Sequence, residues 1–391
     1  MELETEAASV FDDLSLAELR ARRSEKWTTY PTDVLPAFVA EMDFPLAEPI
    51  KRVLTEAIAR GDTGYVNPVG LPEAFAAFAQ SRFNWSVDPG HVVLVPDVMV
   101  GVAEVLRLTT EPGSGIVINT PAYPPFFPTI AEYGRRVIEV PLTRTPHGWA
   151  LDFDGLERAF KAGARAYLLC NPHNPTGRVF SRGDLERIAA LAERYHVVVV
   201  ADENHAPLTL AGAVHTPYVS LGEDVAAWSA TVISAAKAWN LAGLKCAVVV
   251  AGSGAVRARL ATLPAEVRFR SGHLGVLAAI TAYREGAPWL RGLLAHLDRN
   301  RMLLAQLLAD RLPAVGYIPP QATYLAWLDC AKLGLGDDPA KHFLERGRVA
   351  LSRGLDFGPN GAGFVRLNMG TSSALLTEAV SRMAAAVHCL P

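Results

Sequence analysis

The chain has 391 residues, half of them hydrophobic, which supports a large core and exceeds the usual span of one domain. With 37 basic and 40 acidic residues the net charge is -3, which excludes the basic footprint of a nucleic-acid binder or of a protein drawn to anionic membranes and points to small-molecule chemistry. The four cysteines, Cys170, Cys246, Cys330 and Cys389, are far apart and follow no metal-ligand spacing, so a reduced, cytoplasmic protein without a metal centre is expected.

The first residues, MELETEAASVFDDLSLAEL, are acidic and lack the apolar stretch of a secretory signal. No apolar run approaches the roughly 20 residues that span a bilayer. SLAELRARRSEKW follows, a helical stretch with Ser15 as a plausible cap. Strand-like runs come next: HVVLVP (91–96), GIVINT (115–120), RVIEVP (136–141), RAYLLC (165–170), HVVVVAD (196–202), AWSATVISAA (227–236) and KCAVVVAG (245–252). Between them lie helical patterns such as VAEVLRLTT and GDLERIAALAERY. Strands apolar on both faces and alternating with helices predict a mainly parallel sheet covered on both sides, an α/β architecture. From about residue 285 the pattern changes. A long helix over WLRGLLAHLDRNRMLLAQLLADRL precedes the short strands TYLAWLDC and GFVRLNMG and a last helix. The expected organisation is therefore an N-terminal segment (1–44) belonging to a small lobe, a large α/β domain (45–284), and a smaller α+β C-terminal domain (285–391).

In open parallel sheets ligands collect at the carboxyl ends of the strands. Three strand ends carry chemistry there: Asp202 closes HVVVVAD, NPHNPTG with Asn171 and Asn174 follows RAYLLC, and ISAAK brings Lys237. Each alone has an ordinary reading, as a turn former, a proline-dictated loop or a solvated lysine. Together they supply an acid, an amide and an amine to one region, the set needed by a cofactor with a basic ring nitrogen, a phenolic oxygen and an aldehyde.

The ordered segments PAYPPF, CNPHNPTG, ADENH, SAAKAWNLAGLK and FVRLNMG resemble fold-type I pyridoxal phosphate enzymes of the class I/II aminotransferase superfamily. MDFP, PAYPPF, CNPHNPTGRV and the DExH pattern are similar to its carbon-sulfur β-lyase subgroup, the cystathionine β-lyases of MalY/PatB type. The resemblance implies a seven-stranded sheet and pyridoxal 5'-phosphate held covalently by Lys237, which then serves as base at the substrate Cα, made neutral by burial beside Lys245. It further implies Asp202 at the ring nitrogen, Asn174 and His205 at the phenolic oxygen, and Tyr123 stacked on the ring. Ser234, Lys245 and the amides of Val98 and Met99 would hold the phosphate, and Tyr65 would reach the phosphate of a neighbouring subunit in a homodimer. Arg366 would take the α-carboxylate of an amino-acid substrate, with Trp27, Met42 and Asp43 near the entrance.

Four positions depart from the family pattern: Lys245 replaces the more frequent arginine, Val98 and Met99 replace small residues, and Asn204 stands where the subgroup has an apolar side chain. Elimination from a cysteine S-conjugate, giving a thiol, pyruvate and ammonia, is the expected reaction. A transaminase uses the same residues, and a regulatory protein could retain the cofactor without turnover.

Overall fold

The computed structural model describes residues 10–146 and 148–388; Cys389 lies outside them. All seven apolar runs form strands of one sheet: β1 (Val92–Val95), β2 (Gly115–Ile118), β3 (Arg136–Glu139), β4 (Ala166–Cys170), β5 (Val198–Asp202), β6 (Ser229–Ile233) and β7 (Ala247–Ala251). Their order is β1-β7-β6-β5-β4-β2-β3. Neighbours from β6 to β3 are parallel, and β7 is antiparallel to both β1 and β6. The residues of β2, β4, β6 and β7 are all buried, as two-sided coverage demands. Edge strand β3, whose sequence suggests the same burial, is instead partly exposed throughout, because it has a partner on one side only.

Register sets the height of the site. Cys170 lies opposite Asp202 and Asp202 opposite Val232, so the central strands end level and release their loops towards one another. Helix α2 (Val98–Thr109) leaves the end of β1, capped by Asp97, whose Oδ1 accepts from Val100 N at 2.9 Å. Gly101 lets this helix lie close on the sheet, since a Cβ there would meet Val232 Cγ1 at 2.7 Å. Helix α3 (Arg182–Tyr195) starts with a capping box between Ser181 and Asp184.

Beyond the 25-residue helix α4 (Ala287–Arg311), a second sheet contains β8 (Gly316–Tyr317), β9 (Leu325–Asp329), β10 (Ser352–Arg353) and β11 (Phe364–Asn368), all antiparallel, in the order β8-β9-β11-β10. Helix α5 (Ser373–His388) follows and packs on α4. The N-terminal segment joins this part of the molecule. Leu35 and Pro36 pair in parallel with Val349 and Ala350, and the Phe11 ring meets those of Phe44 and Trp289 at 5.1 and 5.4 Å. Its helix α1 (Leu16–Arg20) has the expected Ser15 cap but ends sooner than the sequence suggests, with a new turn at Glu25–Thr28. Lys26, in that turn, is buried against Asp43 at 2.7 Å.

Candidate active site

A cavity of about 200 Å³ opens where β4, β5 and β6 end. Asp202 is the last residue of β5, Ser234 directly follows β6, and Asn174 sits in the loop after β4. Both X-Pro bonds of NPHNPTG are cis. Asn174 and Asp202 face the cavity together with Lys237, His205 and Tyr123. Tyr123, edge-on to Phe126 at 5.5 Å, forms one wall. Arg366 on β11 is buried behind Asn174, donating to its Oδ1 at 3.1 Å, and also donates to Phe38 O and Ser352 Oγ. Its Nε is buried and has no partner among the described residues.

Electrostatics divide the site into charged and neutral groups. Burial raises the Asp202 carboxyl to about 6, opposed by the N–H of Asn204 and by Lys237, so it is mostly ionised at neutral pH. Burial lowers the Lys237 amine to about 8. The next influence on Lys237 is Arg366, whereas Lys245, which sequence reasoning credits, contributes least. The reason is geometric: Lys245 is half-exposed and paired with Asp97 Oδ2 at 3.1 Å. His205 is lowered to about 3 by burial and the nearby cations, and stays neutral, its Nδ1 having no partner among the described residues. Burial also holds the Cys170 thiol in the cavity wall well above its usual range, hence protonated.

The cavity also suits an anion. Val98 and Met99 begin α2, and their amides make no hydrogen bond among the described residues, so the helix N-terminus presents free donors. Ser234 and Lys245 face the same space. A buried carboxylate and free amides in one cavity fit a flat ring carrying a basic nitrogen and a phosphate, which is the chemistry of pyridoxal 5'-phosphate.

Tyr65, Trp27, Met42, Asp43 and Arg366 are not among the residues that line this cavity, Tyr65 being expected at the site of a neighbouring subunit. Tyr65 is 90% exposed and rests against the Phe269 ring. Asp43 is engaged by Lys26.

The sequence reading missed two features. Asp97 lines the cavity, and the signal was available in an Asp three residues before an amide of the first helical turn. The second is a strap, residues 38–42, that runs beside Lys237. Each of its carbonyls accepts a side-chain hydrogen bond: Phe38 O from Arg366 and Ser352, Val39 O from Asn368, and Ala40 O from Lys237 Nζ (3.0 Å) and Tyr324 Oη (2.9 Å). Glu41 O takes Lys26 and Asn368, and Met42 O takes Asn240 and Arg22.

Residues 36–383 match the family model described as Aminotransferase class I and II. A Mycobacterium tuberculosis protein named "Putative cystathionine beta-lyase" is 46% identical over 399 residues, covering 95% of this chain and 97% of that protein. The Bacillus subtilis "Cystathionine beta-lyase PatB" is 36% identical over 360 residues, covering 91% of this chain and 93% of that protein. A solved structure described as a "putative plp-dependent beta-cystathionase" from Corynebacterium diphtheriae aligns with a TM-score of 0.93 at 36% identity, covering 97% of this chain and 100% of that one.

Proposed function

The chain belongs to the class I and II aminotransferase family, and from that premise we propose that it is a pyridoxal phosphate-dependent carbon-sulfur β-lyase that cleaves cystathionine or a related cysteine S-conjugate to a thiol, pyruvate and ammonia. The observation that carries this reading is the cavity lined by a lysine of lowered basicity, a buried carboxylate and Asn174, with Arg366 bonded to Asn174 from behind. The named β-lyase relatives support the choice of elimination over transamination.

Bound here, pyridoxal 5'-phosphate supplies a covalent handle for the amino group and a ring that accepts electrons from Cα. With the cofactor bound, Lys237 would hold its aldehyde and, as a neutral amine, would take the proton from Cα. Asp202 keeps a proton on the ring nitrogen by presenting a carboxylate. Asn174 and neutral His205 face the phenolic oxygen, and Tyr123 covers one ring face. Val98 N, Met99 N, Ser234 and Lys245 receive the phosphate. Arg366, whose Nε has no partner among the described residues, orients the substrate α-carboxylate. The active unit is a cytoplasmic homodimer in which the exposed Tyr65 reaches the neighbouring phosphate. Among the described residues no helix is long and apolar enough to cross a membrane.

The decisive experiment supplies L-cystathionine to the cofactor-loaded protein with no keto acid present. Repeated turnover yielding pyruvate is expected. Turnover that requires an added keto acid would replace this reading with transamination, and a cofactor spectrum indifferent to every amino acid would replace it with regulation.

The lowered Lys237 also predicts how the cofactor is captured. Because the neutral amine attacks the aldehyde, the rate at which cofactor-free protein takes up pyridoxal phosphate should rise about tenfold per pH unit up to about pH 8 and then level off. Stopped-flow absorbance reads this directly. A rise continuing to pH 10 would show an ordinary, unshifted lysine.

A further inference from the structure

Ser234 uses its one proton inside the protein. Its Oγ donates to Asn204 Oδ1 at 2.6 Å and accepts from Ala236 N at 3.1 Å. A hydroxyl has a single hydrogen, so in this arrangement the serine lining the cavity has none to give to a phosphate oxygen. Asn204 also lines the cavity. Its backbone N–H is fixed on Asp202 Oδ1 at 3.1 Å, which anchors the pivot of the side chain. Its Nδ2 has no hydrogen-bond partner among the described residues.

We propose that Asn204 is a positioning residue for the cofactor phosphate, acting through Ser234 by reversal of its carboxamide. As an acceptor it retains the Ser234 proton. Turned over, it donates Nδ2–H to Ser234 Oγ, and the serine passes its own hydrogen bond to a phosphate oxygen. Oγ then accepts two hydrogen bonds and donates one, while Asn204 Oδ1 turns to the side that Nδ2 faced before. Without the reversal, a Ser234 that donated to the phosphate would leave Asn204 Oδ1 and Ser234 Oγ, two acceptors 2.6 Å apart, facing each other with no proton between them. Asn204 thus ties the ring-nitrogen partner, through its backbone, to the phosphate partner, through its side chain.

This inference rests on the pyridoxal phosphate reading above, and its test separates the two. Dissociation constants for pyridoxal phosphate are measured by absorbance titration of cofactor-free protein, unsubstituted and as N204A, S234A and the double variant. N204A and S234A should each weaken binding by about tenfold, the loss of one hydrogen bond to a charged group. The double variant should be no weaker than either, because the two residues act as one unit. The 31P resonance of the bound phosphate should move in N204A as it does in S234A. N204D, close in size and able to accept but not to donate, should bind at least as poorly as N204A, and it serves if the alanine variant does not fold. Unchanged affinity in N204A, or losses that multiply to about a hundredfold in the double variant, overturn the proposal. No binding by the unsubstituted protein overturns the functional reading itself.

Discussion

Replacing Lys237 with alanine is expected to lower β-elimination by about 10⁴-fold or more, since one side chain supplies both the covalent attachment and the base. The expectation follows from its surroundings. The amine is held 3.0 Å from Ala40 O and brought to about 8 mainly by burial, so about one-tenth of it is neutral at pH 7, far more than in a solvated lysine. K237R separates charge from chemistry: it keeps a cation in place but offers no neutral amine, and should be as inactive as K237A. Two measurements check this. Pyruvate release reports the rate, and borohydride treatment followed by peptide mapping reports whether a pyridoxyl group is fixed at position 237. A K237A protein retaining more than about one-hundredth of the activity would place the base elsewhere.

The second large effect is expected at Asp202. D202N keeps the shape of the side chain and removes the charge that faces the ring nitrogen. Breaking a buried charge pair costs about 3–5 kcal/mol, which corresponds to a loss of roughly 10²- to 10³-fold or more in rate. Cofactor affinity should fall less, because the phosphate donors at the start of α2 are untouched. A D202N enzyme with normal turnover would remove the carboxylate from the reaction. The raised carboxyl of Asp202, at about 6, owes its shift first to burial, so the D202N effect is one of charge in a dry site.

How much of this was written in the sequence depends on the kind of interaction. The seven strands were legible because burial on both faces leaves continuous runs of Val, Ile, Leu and Ala, and each run contains the observed strand. Asp202, Asn174 and Lys237 were legible because polar residues at the ends of such runs stand out. The strap at residues 38–42 was not. Its bonds are made by backbone carbonyls, which every residue possesses, so no residue type announces them. The dominance of Arg366 over Lys245 at Lys237 was equally hidden, since it depends on Lys245 turning to Asp97. The Asn204–Ser234 bond joins the ends of two neighbouring strands across 30 residues of chain, a proximity that only the β5–β6 register creates.

The strap also bears on biosynthesis. Its partners include Lys237, Tyr324, Ser352, Arg366 and Asn368, synthesised up to 329 residues after it. The large sheet is complete in the nascent chain at Ala251, yet the carbonyls beside the reactive lysine do not have all their donors until the ribosome has passed residue 368. Contacts so distant in sequence form slowly. The pocket is therefore among the last regions to mature, and a polypeptide released early, though it holds every strand of the large sheet, leaves the amine without its finished seat.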